Sequence, residues 1–231
     1  LPCDRRTAKK PRMLQRARQK FQAVIDGAVH AAVTLPSKRA MARRGYVSLF
    51  DHRPRDAFVP DWPDLWFLYR TVRARRPRVL MEFGSGCSSI ALAQALADNA
   101  QDGAPGFLHS FDADAHWAAA TERSMPEALR TFCSVAATPA EPIDYGGTPA
   151  WRYRDVPDLA PDFIYLDGPA LRPDRKVAVD VLDLEAHFPS GFLLVADGRF
   201  TNCRFLEAHF KRQYRKTFRR TLRNTSYELI G

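Results

Sequence analysis

Between Arg78 and Leu96 the chain reads RVLMEFGSGCSSIALAQAL, and few folds accommodate such a run. Val79, Leu80 and Met81 make an apolar block of buried-strand length, and from Cys87 onward alanine and leucine recur as in a helix. The turn between them carries Glu82, Gly84, Ser85 and Gly86. Glycine at 84 and 86 permits positive φ and leaves the main chain bare of Cβ, while the first helical N–H groups open into the same space. A bend of this kind receives a nucleotide-like ligand. The bland reading is an ordinary strand-to-helix turn.

What the bend lacks narrows the ligand. A phosphate-cradling loop needs Gly-Lys-Ser/Thr after its glycines, whereas Cys87, Ser88 and Ser89 follow here. A dinucleotide fingerprint wants a third glycine where Ser89 stands. Glu82 at the strand end repels phosphate and suits a ligand bearing an ammonium group. At these residues the sequence resembles the class I S-adenosylmethionine-dependent methyltransferases, whose first motif is an acidic residue followed by x-Gly-x-Gly. The resemblance implies that Glu82, Gly84 and Gly86 lie against the methionine part of S-adenosylmethionine, and Ser85 and Ser88 join them as candidate cofactor-binding residues.

Further along, Phe107 to Phe111 reads as a second strand ending at Asp112. An acid there can accept both ribose hydroxyls of a nucleoside, so Asp112 is the expected ribose ligand and Asp114 the expected cap of the next helix. A third strand is expected over 132–136, a small hairpin within 139–160, a fourth strand over 163–166 ending in Asp167-Gly168-Pro169, and a fifth over 192–196 ending in Asp197-Gly198-Arg199. Buried strands ending in polar or glycine turns and alternating with helices imply an α/β fold, a doubly wound and mostly parallel sheet. The resemblance implies the Rossmann-like methyltransferase version, with an antiparallel C-terminal strand. Two closing strands are expected over 216–222 and 226–230.

Upstream, a basic arm leads into a helix whose stripe of Phe21, Val24, Ile25, Ala28, Val29 and Ala32 should pack on something: the sheet, the active-site mouth or a second subunit of a homo-oligomer. Residues 35–63 read as an irregular connection, followed by a helix over 63–75 capped by Asp61. The expected division is an N-terminal arm and helical extension, 1–60, and a methyltransferase domain, 61–231.

Glu82, Asp112, Asp167 and Asp197 all follow strands, so an open parallel sheet gathers them on one rim although they are far apart in sequence. Asp167 and Asp197 are the candidate catalytic pair, and two carboxylates on neighbouring strands need something positive near them. One candidate is a divalent cation. Catechol and caffeoyl-coenzyme-A O-methyltransferases are similar in placing acids here, but they follow the second with Asn where this chain has Gly198, which argues against metal. Arg199, Arg172 or Lys176 could pair with the acids instead; simple loop capping is the bland alternative. Of the histidines, His52 is the one expected near the mouth.

Net charge is +9, concentrated in basic clusters over 5–20 and 211–223, for which a solvated face is preferred to a nucleic-acid footprint. No apolar run approaches the roughly 20 residues of a membrane span and no signal-peptide segment is seen, so a cytoplasmic protein is expected. Cys3, Cys87, Cys133 and Cys203 are scattered and read as free thiols. The resulting expectation is methylation of a hydroxyl on a small molecule or surface-glycan precursor. An RNA methyltransferase and a non-catalytic nucleoside-binding module are the alternatives.

Overall fold

Seven strands in the order β3-β2-β1-β6-β7-β9-β8 form the central sheet of the structure, a computed structural model that describes residues 9–170 and 177–231. The strands are β1 Val79–Phe83, β2 Phe107–Asp112, β3 Cys133–Ala137, β6 Phe163–Leu166, β7 Leu193–Asp197, β8 Tyr214–Arg219 and β9 Asn224–Leu229. The first five are parallel, and β9 runs antiparallel to both its neighbours. A separate hairpin, β4 Ala140–Tyr145 and β5 Thr148–Tyr153, replaces a crossover helix between β3 and β6.

Period-two alternation assigns each strand residue to a layer. Leu80, Phe163, Tyr165, Leu193 and Val195 face one core, with Leu65, Leu68 and Val72 of helix α2 (Trp62–Arg75) and Leu92 and Leu96 of α3 (Cys87–Gln101). Met81, Phe83, Ile164, Leu166 and Leu194 face the other, with Val181 of the short α5 (Asp180–Leu184) and Leu206 of α6 (Phe200–His209). Both faces of the central strands are therefore covered, which is why they read as continuous apolar runs. Each such fully buried large side chain contributes about 1.5–3 kcal/mol.

Helix α2 is bounded as its sequence predicts. Asp61 caps it, Pro63 lies in its first turn, and the chain leaves through Arg76 in a left-handed conformation (φ 51°) just before Pro77. Helix α4 (Ala115–Ser124) is capped by Asp114, which accepts from the His116 N–H at 2.8 Å.

Two expectations need correction. Helix α1 spans Lys9–Ala42 and so continues through Pro36 into the segment read as irregular, and a 3-10 helix follows at Tyr46–Phe50. Tertiary docking holds that extension: Met41 is buried in the α2–α3 core and Ser37 is buried beside it. Val24, Ile25 and Val29 of the apolar stripe are exposed among the described residues, and the Phe21 side chain lies outside them. The closing strands begin and end a few residues earlier than expected, because Arg223 takes a left-handed turn (φ 56°) with no glycine to announce it. Among the described residues no helix is long and apolar enough to cross a membrane.

Candidate active site

Register brings the strand ends together. Phe83 stands opposite both Phe111 and Leu166, and Leu166 opposite Ala196, so Asp112, Asp167 and Asp197 leave the sheet at one level on β2, β6 and β7. Neighbouring strands are about 4.8 Å apart, which places the three acids along a single rim.

The glycine bend is fixed from below and open above. The Gly84 N–H donates to the Phe111 carbonyl at 2.7 Å, and the Asp167 N–H to the Phe83 carbonyl at 2.8 Å, with the Gly168 N–H on that same carbonyl. Gly84 has φ 95°, and a Cβ on it would lie 2.6 Å from the Gly168 nitrogen. The two backbones thus touch, and only glycine fits at either place. Above Gly86 a Cβ would meet nothing within 4 Å, leaving bare main chain facing open space.

Glu82 lies beneath this bend. Its side chain is fully buried; Oε2 accepts from Ser89 Oγ at 2.5 Å and Ser110 Oγ at 2.6 Å, and Ser89 Oγ in turn accepts the Gly86 N–H at 3.0 Å. Burial pushes the carboxyl up to about 7, against the pull of the Ser110, Ser88 and Ser89 hydroxyls. Glu82 therefore braces the bend through Ser89, and among the described residues its Oε1 has no hydrogen-bond partner. Ser88 is half-buried in the first turn of α3.

Asp112 faces the same bend. Oδ2 accepts from Ser85 N–H at 2.9 Å and Ser85 Oγ at 2.8 Å, and Oδ1 accepts the Asp114 N–H at 2.9 Å. Thr121 of α4, which no sequence pattern singled out, adds its hydroxyl 3.1 Å from that of Ser85.

Beside Asp167 and Asp197 the structure adds a third acid. Asp64, in the first turn of α2, faces Asp197 and Asp167, and the Asn224 amide at the start of β9 approaches it at 3.4 Å. Burial first, then Asp197, Asp61 and Asp167, push its carboxyl up to about 8. Burial and Asp197 raise Asp167 to about 8 with Arg199 opposing, although solvent reaches the Asp167 side chain and water screening trims that rise. Asp197 rises to about 6, mainly by burial. Sequence reasoning missed Asp64 because an acid in the first turn of a helix is ordinary.

Arg199 is almost wholly buried. Nη1 donates to the main-chain carbonyls of Asp167 at 2.9 Å and Pro169 at 2.8 Å, while Nε and Nη2 each lie 3.3 Å from Asn202 Oδ1. It clamps the β6 exit loop to the start of α6, and its positive charge still favours ionised Asp167. Arg172 and Lys176 lie outside the described residues. His52 is not at the mouth; its carbonyl accepts from Ser124 at the far end of α4. Cys87, Cys133 and Cys203 are free thiols.

The residues fit an adenosyl cofactor better than a metal. Open main chain at Gly86 and a carboxylate on the adjoining strand match a nucleoside. Gly198 supplies no side-chain ligand after Asp197, and among the described residues no group of three or more His, Cys, Asp or Glu is arranged to hold a metal ion.

No family model and no curated protein matches the sequence. Solved structures do match by shape. A putative caffeoyl-CoA O-methyltransferase from Staphylococcus aureus is 10% identical, with a TM-score of 0.53 over 85% of this chain and 100% of that one. A methyltransferase from Podospora anserina solved with SAH is 13% identical, with a TM-score of 0.52 over 84% of this chain and 96% of the other. The fold is that of the class I methyltransferases. The O-methyltransferase from Bacillus cereus in complex with SAH is similar too, at 14% identity and a TM-score of 0.50 over 88% and 91% of the two chains. In this methyltransferase fold, β9 is the antiparallel C-terminal strand expected from the sequence.

Proposed function

We propose that the chain is an S-adenosylmethionine-dependent methyltransferase acting on a hydroxyl of a small molecule. The observation that carries this reading is the open main chain at Gly86 beside the Asp112 carboxylate, on the rim that also holds Asp167 and Asp197. Solved proteins of this shape from Bacillus cereus and Podospora anserina hold SAH, which supports the choice of cofactor.

When bound, S-adenosylmethionine supplies a methyl group on a sulfonium that needs no further activation. The protein's task is then alignment, which supplies much of the rate. Asp112 holds the ribose hydroxyls, with Ser85 turning from the carboxylate toward the ligand. Ser89 and Glu82 keep the Gly86 bend in place. Asp167 stands where the acceptor would lie and takes the proton that the hydroxyl loses; a base titrating near 8 is well matched to that step. Burial and repulsion from Asp197 raise its basicity, and Arg199 fixes the loop that carries it.

Calorimetric titration with S-adenosylhomocysteine tests the reading, and absence of heat at millimolar ligand would overturn it. Asp112→Ala is expected to weaken that binding by about 10- to 100-fold, the loss of hydrogen bonds to a charged acceptor at about 1.5–3 kcal/mol. Equal affinity in wild type and variant would remove Asp112 from the ribose.

A further inference from the structure

Beside the acceptor rim, a groove of about 660 Å³ lies between α2 and the outer strands β8 and β9. Alternation along β8 turns Arg215, Thr217 and Arg219 into it, while Lys216 and Phe218 point to the α6 side, where they meet Glu207 and Phe200. Four residues of strand separate Arg215 from Arg219, about 13 Å. The upper end adjoins the site already described. Asp197 pairs with Asn224 and Asn224 with Arg219, so Arg219 stands two strands, about 10 Å, from Asp197. Pro63, the neighbour of Asp64, lines the same end.

The charge in this groove is unbalanced. Its one lining carboxylate, Glu228, is already held by Arg75 at 2.6 Å and Arg215 at 2.5 Å. Arg219 rests on the Phe67 ring at 4.6 Å and donates to Ser226 Oγ at 2.9 Å; Arg70 lies 5.9 Å from the Trp66 ring centre. Among the described residues neither meets a carboxylate. Burial also lowers the Arg219 pKa, as expected of a guanidinium partly stripped of water without an anion in exchange. Thr71, Thr217 and Ser226 add hydroxyls.

We propose that this groove holds the oxyanion-bearing, non-reacting part of the methyl acceptor, a phosphate or diphosphate at Arg219, three strands or about 14 Å from the Asp167 strand end where the methylated hydroxyl would lie. The proposal rests on the methyltransferase reading and deepens it. Guanidinium pairs suit phosphate oxygens, and the opposite charges of groove and rim orient the acceptor with its anionic end away from Asp64, Asp167 and Asp197. Single-stranded nucleic acid fits less well, because the aromatic faces are taken. Trp66 stacks on Tyr69 at 5.4 Å and carries Arg44 at 4.9 Å, and Phe67 is covered by Arg219.

The test titrates pyrophosphate into wild type, Arg70→Glu and Arg219→Gln at low salt, with S-adenosylhomocysteine titrated in parallel. The expected result is saturable pyrophosphate binding that each substitution weakens about tenfold or more, with S-adenosylhomocysteine affinity unchanged. Arg70 is exposed, so its variant stays informative if Arg219→Gln folds poorly. No saturable binding, or binding indifferent to Arg70→Glu, would overturn the proposal. An RNA oligonucleotide that binds more tightly than pyrophosphate, with a steep salt slope and the same sensitivity to substitution, would overturn it in favour of nucleic acid. Pyrophosphate bound without any S-adenosylhomocysteine binding would overturn the methyltransferase reading instead.

Discussion

Replacing Asp167 by asparagine is expected to lower kcat by about 10²- to 10⁴-fold, the usual contribution of a positioned base, while S-adenosylhomocysteine binds as before. The side chain lies at the exit of β6, one strand from the glycine bend, and the carboxyls of Asp197 and Asp64 stand beside it. Burial, then the charge of Asp197, raises its pKa from the ordinary carboxylate range to about 8, with Arg199 opposing. A raised pKa means that the proton-accepting form becomes more abundant as pH rises, so wild-type kcat should climb between about pH 6 and 8 and level off above. The asparagine variant should lose that rise. Measuring kcat against pH for both proteins decides it: a variant within threefold of wild type, or one that keeps the same rise, would take Asp167 out of the chemistry.

Gly168→Ala should destabilise the fold by about 3 kcal/mol or more, because two parts of a rigid structure occupy the space the methyl group needs. A Cβ at 168 would fall on the Tyr153 hydroxyl and lie 2.6 Å from the Gly84 nitrogen. Neither neighbour can retreat cheaply. Tyr153 is buried against Phe83 with ring centres 5.2 Å apart, and Gly84 is held by the Phe111 carbonyl. For a chain of this size the loss corresponds to a fall in Tm of about 6–12 °C. Among the described residues the Tyr153 hydroxyl has no hydrogen-bond partner, so Tyr153→Phe alone should be near neutral and should restore part of the stability lost in Gly168→Ala. Thermal unfolding of the two single variants and the double variant checks both points; strict additivity would show that the hydroxyl is not the obstacle.

Much of the frame was legible because its signals are local. Apolar runs at 79–81, 107–111, 163–166 and 192–196 are strands in the structure, and Asp112, Asp167 and Asp197 share a rim because parallel strands end on the same side, whereas Glu82, expected on that rim, lies inside β1 and is buried beneath the bend. The Gly146-Gly147 turn made the hairpin readable in the same way. Long-range facts were not legible. Nothing local tells that Asp64 faces Asp197 from a different element, that Gly168 touches Gly84, or that Arg199 would reach the main-chain carbonyls of Asp167 and Pro169. Glu82 shows the limit most plainly. Its place in the motif was readable, but the direction of its side chain depends on Ser110, a residue of the next strand.

The crowded acids also make the folded chain a store of protons. Asp64 and Asp167 titrate near 8, Glu82 and Asp180 near 7 and Asp197 near 6, whereas in the unfolded chain all five would release their protons near 4. Between about pH 4 and 8 the native state therefore binds more protons than the unfolded state, and its stability declines as pH rises through that window. Asp102, Glu207 and Glu228, held low by Arg73, Lys216 and the Arg75–Arg215 pair, act in the opposite sense at the acid end, and His109, whose pKa burial lowers, does so below neutrality. A mildly acidic solution is consequently where this protein keeps its shape best, and an alkaline one, which frees the base it is proposed to use, is where it holds together least firmly.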